Sequence, residues 1–207
     1  MVFSRSETEF ATRLCLNGQT LDRVEAVKLV GVWVDTWLDW DRNTSEICKK
    51  AYGRMSMLTK LKYAGVEIED LIDIYSLFIR SCAEYCSVVF HGSLTNEQSQ
   101  KIENIQKTSL KIILSDNFVD YSAACEMTGL LSLAERRQNR MLSYAKKCIS
   151  HPENSRFFPH NENIYQDPQI RNREKYKVNF AHGEKYRKSA IPTCQRLLNN
   201  LEWSRKE

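Results

Sequence analysis

Asp39, Asp41 and Asn43 stand at the one, three, five spacing with which a calcium loop presents its oxygen ligands. The pattern then breaks: Thr44 occupies the place of the glycine that makes the sharp turn, and Lys50 that of the bidentate glutamate. The three residues read instead as a hairpin exit and a helix cap. Cys148, His151 and His160 have zinc-ligand chemistry but no second close-spaced pair, so they read as a buried thiol and a cation at a helix's carbonyl end. Cys82 and Cys86, four apart, read as small buried hydrophobes on a helix. The histidines at 91, 151, 160 and 182 are scattered, with neither a Gly-x-Ser-x-Gly elbow nor a phosphate-cradling glycine loop. The acidic clusters, Glu67-Ile-Glu69-Asp70 and Asp39-Trp-Asp41, fall at a helix start and a strand end, where capping is their ordinary use. No catalytic centre, metal or cofactor is expected.

Basic residues interleaved with aromatics offer a different chemistry. Residues 1–135 hold 14 Lys and Arg against 19 Asp and Glu, whereas residues 136–207 hold 16 against 7. A basic segment of this kind is the electrostatic footprint of a polyanion, most often nucleic acid. Lys146-Lys147, Arg156-Phe157-Phe158, Arg171, Arg173, Lys175, Tyr176, Lys177 and Lys185-Tyr186-Arg187-Lys188 pair phosphate-binding charges with stackable rings. The competing reading is that Phe157 and Phe158 pack back on the protein and the charges merely solvate an arm. Further forward, Lys49, Lys50, Arg54, Lys60 and Lys62 are expected on one helix face, opposite the apolar one.

The elements that must position these groups are mainly helical. Thr12–Leu16 alternate, Asn17-Gly18 is a hairpin-turn signal and a Val/Trp-rich run follows from Val24 to Trp37, which predicts a small antiparallel sheet. From Asn43 or Thr44, as caps, a helix with Ile47, Ala51, Met55, Leu58 and Leu61 inward runs to a stop at Gly65. A second is expected from Ile68 to Phe90, with Leu71, Ile74, Tyr75, Phe78, Cys82, Tyr85 and Val89 inward. Capping boxes at Thr95–Gln98 and Ser132–Glu135 open two more, to about Leu114 and Ile149, and a short helix between them ends at Gly129. Residues 152–188 read as an extended basic arm, before a last helix with Pro192 in its first turn. The expected organisation is a β-hairpin over 1–42, a helical bundle over 43–151, and the arm with its terminal helix over 152–207.

With 207 residues, 42% hydrophobic and 27% charged, the chain buries one core, and no apolar run approaches the ~20 residues of a membrane helix. The first residues lack the apolar centre of a signal peptide. Seven cysteines, odd in number and without a Cys-x-x-Cys pair, read as reduced intracellular thiols.

Several stretches, taken in order, resemble the C-terminal third of non-LTR (LINE-type) retrotransposon reverse transcriptases. Met1-Val-Phe-Ser-Arg5 is similar to the palm strand that follows the catalytic motif, and Lys28-Leu-Val-Gly-Val-Trp-Val-Asp35 with Leu38-Asp-Trp40 to the hairpin closing the palm. Ile74-Tyr75, Glu84-Tyr85 and Val88–Thr95 resemble the central thumb helix and its exit. Glu103-Asn-Ile-Gln-Lys107, Leu110–Leu114, Leu133-x-x-Arg136-Arg137, Tyr144–Cys148, His151-Pro152, Phe158-Pro159, Tyr186–Pro192 and Arg196–Asn199 follow in the family's order. Val30, Asn43 and Phe90 stand where the family usually has Leu, His and Trp.

The resemblance implies the end of a palm-like subdomain, a thumb and a post-thumb region of an RNA-directed DNA polymerase encoded by a transposable element. The family's aromatic-x-Asp-Asp motif and its upstream aspartate are absent from these residues, so no polymerase activity is expected. The expected partner is RNA or an RNA/DNA duplex, gripped through its backbone by Lys49, Lys50, Arg54, Lys60, Lys62, Arg136, Arg137, Lys146, Lys147, Arg171, Arg173, Lys185, Arg187 and Lys188. Two alternatives stand beside it: a helical protein-interaction module that self-associates through a hairpin bearing Trp33, Trp37 and Trp40, and a decayed retrotransposon fragment.

Overall fold

The computed structural model describes residues 15–22, 24–161, 175–178 and 180–203. Met1–Arg5 and the strand expected through Thr12, Arg13 and Leu14 lie outside them, as do Arg171 and Arg173. The chain is mainly α-helical, with small antiparallel hairpins at its N-terminal end.

The expected single sheet is two separate ribbons: β1 (Cys15–Leu16) with β2 (Gln19–Thr20), and β3 (Ala26–Leu29) with β4 (Val32–Asp35). Each closes through two residues with positive φ, Asn17-Gly18 and Val30-Gly31, which matches strand twist in a tight turn. Val30 is β-branched and pays a steric penalty at φ 45°. Tyr85 holds that turn, its hydroxyl donating to the Val30 carbonyl at 2.8 Å.

Helix α1 (Asp41–Tyr63) begins before the expected caps. Trp40, left-handed at φ 68°, takes the cap position, its carbonyl accepting from Thr44 N at 2.8 Å and its ring packed 6.0 Å from that of Phe90. Asn43 is buried within the first turn, where its Oδ1 accepts from Trp33 N and ties the outer edge of β4 to the helix. The far end closes as expected on Gly65: Gly65 N donates to Lys62 O and Val66 N to Leu61 O, the two bonds of a Schellman stop.

The expected helix over 68–90 is interrupted twice. After α2 (Ile68–Ile74) comes one π-helical turn, Tyr75–Ile79, where Arg80 N reaches back five residues to Tyr75 O. The extra residue slips the buried face by one: Ile79, Ala83 and Phe90 are buried where Phe78, Cys82 and Val89 were expected. Phe78 and Val89 are about half exposed instead. The loosened Phe78 carbonyl accepts from Arg54 Nη1, Ser81 Oγ and Cys82 Sγ. α3 (Arg80–Glu84) then breaks at left-handed Cys86, before α4 (Ser87–Phe90).

α5 (Asn96–Leu114) and α7 (Leu133–Ser150) start on the capping boxes of Thr95/Gln98 and Ser132/Glu135, each worth about 1 kcal/mol. Between them α6 (Tyr121–Thr128) ends on Gly129 at φ 65°. The main core joins Leu58, Leu71, Ile79, Ile102, Ile105, Ile113 and Leu133. A smaller core lies along the second half of α7, where Met141, Ala145 and Cys148 meet Phe158, Tyr176, Cys194 and Leu198. It docks α9 (Ala190–Trp203) on α7. Asn199 clamps Tyr176 by both backbone groups, at 2.9 and 3.0 Å.

Candidate nucleic-acid interface

The five cations of α1 do not share a face. Lys49 and Lys60, eleven residues and about three turns apart, lie on one line and are exposed. Lys50 and Arg54 lie beside a cleft of about 400 Å³ between α1, the Gly31-Val32 turn and Ser81–Tyr85. Lys62 is half-buried in the last turn, on the side of the helix that carries Met55 and Leu58. Arg54 is tied to the Phe78 carbonyl through Nη1. Lys49, Lys50, Lys60, Lys146 and Lys147 form no ion pair with a described carboxylate, and each is exposed.

The line of Lys49 and Lys60 extends to a residue that sequence reasoning missed. Arg42, Lys49, Gly53, Ser56 and Lys60 recur at helical spacing and are all exposed, a straight row about 27 Å long. Arg42 lies 3.7 Å above the Trp33 ring, which fixes its guanidinium near the hairpin. Glu46, the carboxylate next to the row, lines the cleft and is half-buried. A Cβ on Gly53 would meet nothing within 4 Å, so nothing in the described protein requires glycine there, although it weakens a helix by about 1 kcal/mol relative to alanine. A seven-residue step from Lys49 back to Arg42 was the available signal.

Arg136 and Arg137 have internal roles. Arg137 is fully buried and cannot touch a duplex in this fold: Nη2 donates to Ser99 Oγ at 3.0 Å, Nε to His91 Nδ1 at 3.4 Å, and Glu103 lies 3.9 Å away. Burial lowers its pKa, and Glu103 opposes that shift. Glu103 also accepts from the Tyr121 hydroxyl and from Leu133 N and Ala134 N at 2.8 and 3.0 Å, a second cap on α7. Arg136 grips the buried Glu84 through Nε and Nη2, and that bond raises its pKa.

At the C-terminal end Lys185 donates to the Trp37 carbonyl and lies over its ring. Arg187 and Lys188 both pair with Glu184 in α8 (Glu184–Arg187), which holds that carboxyl down to about 2. These three are exposed yet already partnered within the chain. Of the basic–aromatic pairs, Phe158 and Tyr176 are core residues, whereas Phe157 stays exposed with Arg156 over its ring.

The carboxylates at the metal-like spacing are taken up by hydrogen bonds within the fold. Asp39 Oδ1 accepts from Asp41 N, and Asp41 Oδ1 from Gln98 Nε2 at 2.7 Å. Cys148 is buried and His151 exposed; among the described residues no three His, Cys, Asp or Glu gather as a metal site. All seven cysteines are free thiols. No described helix is long and apolar enough to cross a membrane. Comparison with protein-family models, with curated proteins and with solved structures returned no match.

Proposed function

We propose that this chain binds RNA or an RNA/DNA duplex through its sugar–phosphate backbone, as the thumb and post-thumb region of a LINE-type reverse transcriptase, without polymerase activity of its own. The observation that carries the reading is the exposed row Arg42, Lys49, Gly53, Ser56, Lys60 along α1. It places three cations and a hydroxyl on one straight line, with a glycine at its centre where a backbone can approach closely. Such a row tracks phosphates without reading bases. Lys146 and Lys147 on α7 add exposed charge without a described partner.

The stretches that carry the family resemblance also support one another through buried bonds. Tyr75 donates to Gln106 at 2.8 Å, Gln106 to the Leu131 carbonyl at 3.0 Å, and Glu103 caps α7 beside Arg137. They are one scaffold, which suits a rigid duplex-gripping element.

Titration of a labelled RNA/DNA hybrid across a salt series tests the reading. The wild type is expected to bind with affinity falling steeply with salt, and Lys49→Ala/Lys60→Ala to lower the slope of log K against log salt by about two. Absence of binding at low salt would overturn it.

A second reading, association through the hairpins, is favoured by their surface. Leu16, Leu21, Val24, Leu29, Val30 and Trp37 are all exposed, and the outer edge of β3 at Lys28 pairs with no backbone among the described residues. A concentration-dependent oligomer indifferent to nucleic acid is its signature in size-exclusion chromatography.

A further inference from the structure

Glu84 is 2% exposed and serves two arginines at once. Arg136 grips it through Nε and Nη2, and Arg140 Nη2 lies 2.7 Å from Oε2. Arg80 stands one helical turn before Glu84 on α3, so the two side chains share a face. It forms no ion pair with a described carboxylate. Burial, and then repulsion from Arg136, lower its pKa, and Glu84 opposes both. Glu103 is committed to Arg137, Tyr121 and the start of α7. Counting both acids against Arg80, Arg136, Arg137 and Arg140 leaves two positive charges without counter-charge.

An excess of this size, on guanidiniums of which only Arg140 is exposed, favours an anion from outside. Arginines contributed by two packed elements offer several forked N–H donors. That suits a tetrahedral oxyanion with several acceptors better than a second carboxylate. The mouth of the cluster is open, because the Arg140 side chain is 51% exposed. Tyr144 and Lys147 continue the exposed surface one and two turns further along α7.

We propose that Arg80, together with Arg136 and Arg140 held by Glu84 where α3 meets α7, forms a binding site for a phosphate-class oxyanion. Glu84 acts as a positioning residue, and Arg80 and Arg140 are the arms that reach the ligand. The site lies on different elements from the Arg42–Lys60 row and does not require that row to function. If its phosphates belong to a nucleic acid, it deepens the proposed function by adding a second grip; if they are free, it is an independent small-anion site.

The test uses inorganic pyrophosphate and the labelled RNA/DNA hybrid on the full chain, with chloride at matched ionic strength as the control. Wild type is compared with Arg80→Gln/Arg140→Gln, with the milder Arg140→Lys, and with Lys49→Ala/Lys60→Ala. Far-UV circular dichroism melts in chloride verify that each variant is folded. Pyrophosphate is expected to raise the melting temperature saturably in the wild type and in the lysine variant, and not in the double arginine variant, with Arg140→Lys intermediate. A nucleic-acid source adds competition between pyrophosphate and the hybrid, with hybrid affinity about tenfold weaker in the double arginine variant. A free-phosphate source gives the melting shift without that competition. Equal behaviour of wild type and double arginine variant toward both probes overturns the site. Absence of hybrid binding by the wild type, with the pyrophosphate shift intact, overturns the proposed function and leaves the site standing.

Discussion

Arg137 Nε donates to His91 Nδ1 at 3.4 Å, and the arginine has no solvent exposure at all. A guanidinium is always a donor, so this contact requires the imidazole to be neutral, with Nδ1 as acceptor. Burial, followed by the charge of Arg137, holds His91 down to about 4.

The sign of the resulting pH dependence follows. Unfolded, His91 titrates near 6.5; folded, near 4. Between these values the unfolded chain binds the extra proton, so the contribution of His91 is fully present above pH 6.5 and is lost as pH falls toward 4. The melting temperature is expected to drop across that window, and His91→Gln, which keeps an acceptor, to flatten the drop. An unchanged slope in the variant would remove His91 as its cause.

Gly53→Ala separates stability from binding. The added methyl meets nothing within 4 Å, so α1 gains about 0.5–1 kcal/mol and the melting temperature rises. If a duplex backbone lies along the Arg42–Lys60 row, the same methyl weakens hybrid binding while the salt slope stays as it was, because no charge is removed. Tighter or equal binding in the stabilised variant would place the duplex elsewhere.

Gly92→Ala tests how the C-terminal segment is held. A Cβ there would stand 2.6 Å from both the Lys188 carbonyl oxygen and Thr193 Oγ1, and that carbonyl also accepts from Ser93 and Thr193. Either the turn at 91–93 or the chain entering α9 must move, at a cost of about 1–3 kcal/mol. The expected readout is a lower denaturant midpoint. An unchanged midpoint would show that α9 is held by the smaller core alone.

What the sequence by itself determined is the set of features that close within about five residues. The Asn17-Gly18 turn, the capping boxes at Thr95 and Ser132, and the stops at Gly65 and Gly129 were all legible, because each is a backbone bond whose partner is specified by the same short stretch. Tertiary structure decided whatever needed a distant partner. A period of 3.6 cannot reveal a π turn, so Phe78 and Val89 were read as core until the Tyr75–Ile79 turn moved Ile79 and Phe90 into their places. Asn43 was read as a cap, but the edge of β4 claims its side chain. Charges were the least legible, since a cation's role depends on the carboxylate that the fold brings to it. Arg137 is sealed in the core near Glu103, thirty-four residues away, Arg136 and Arg140 share Glu84, and Lys49 and Lys60 remain exposed because no described acid folds toward them.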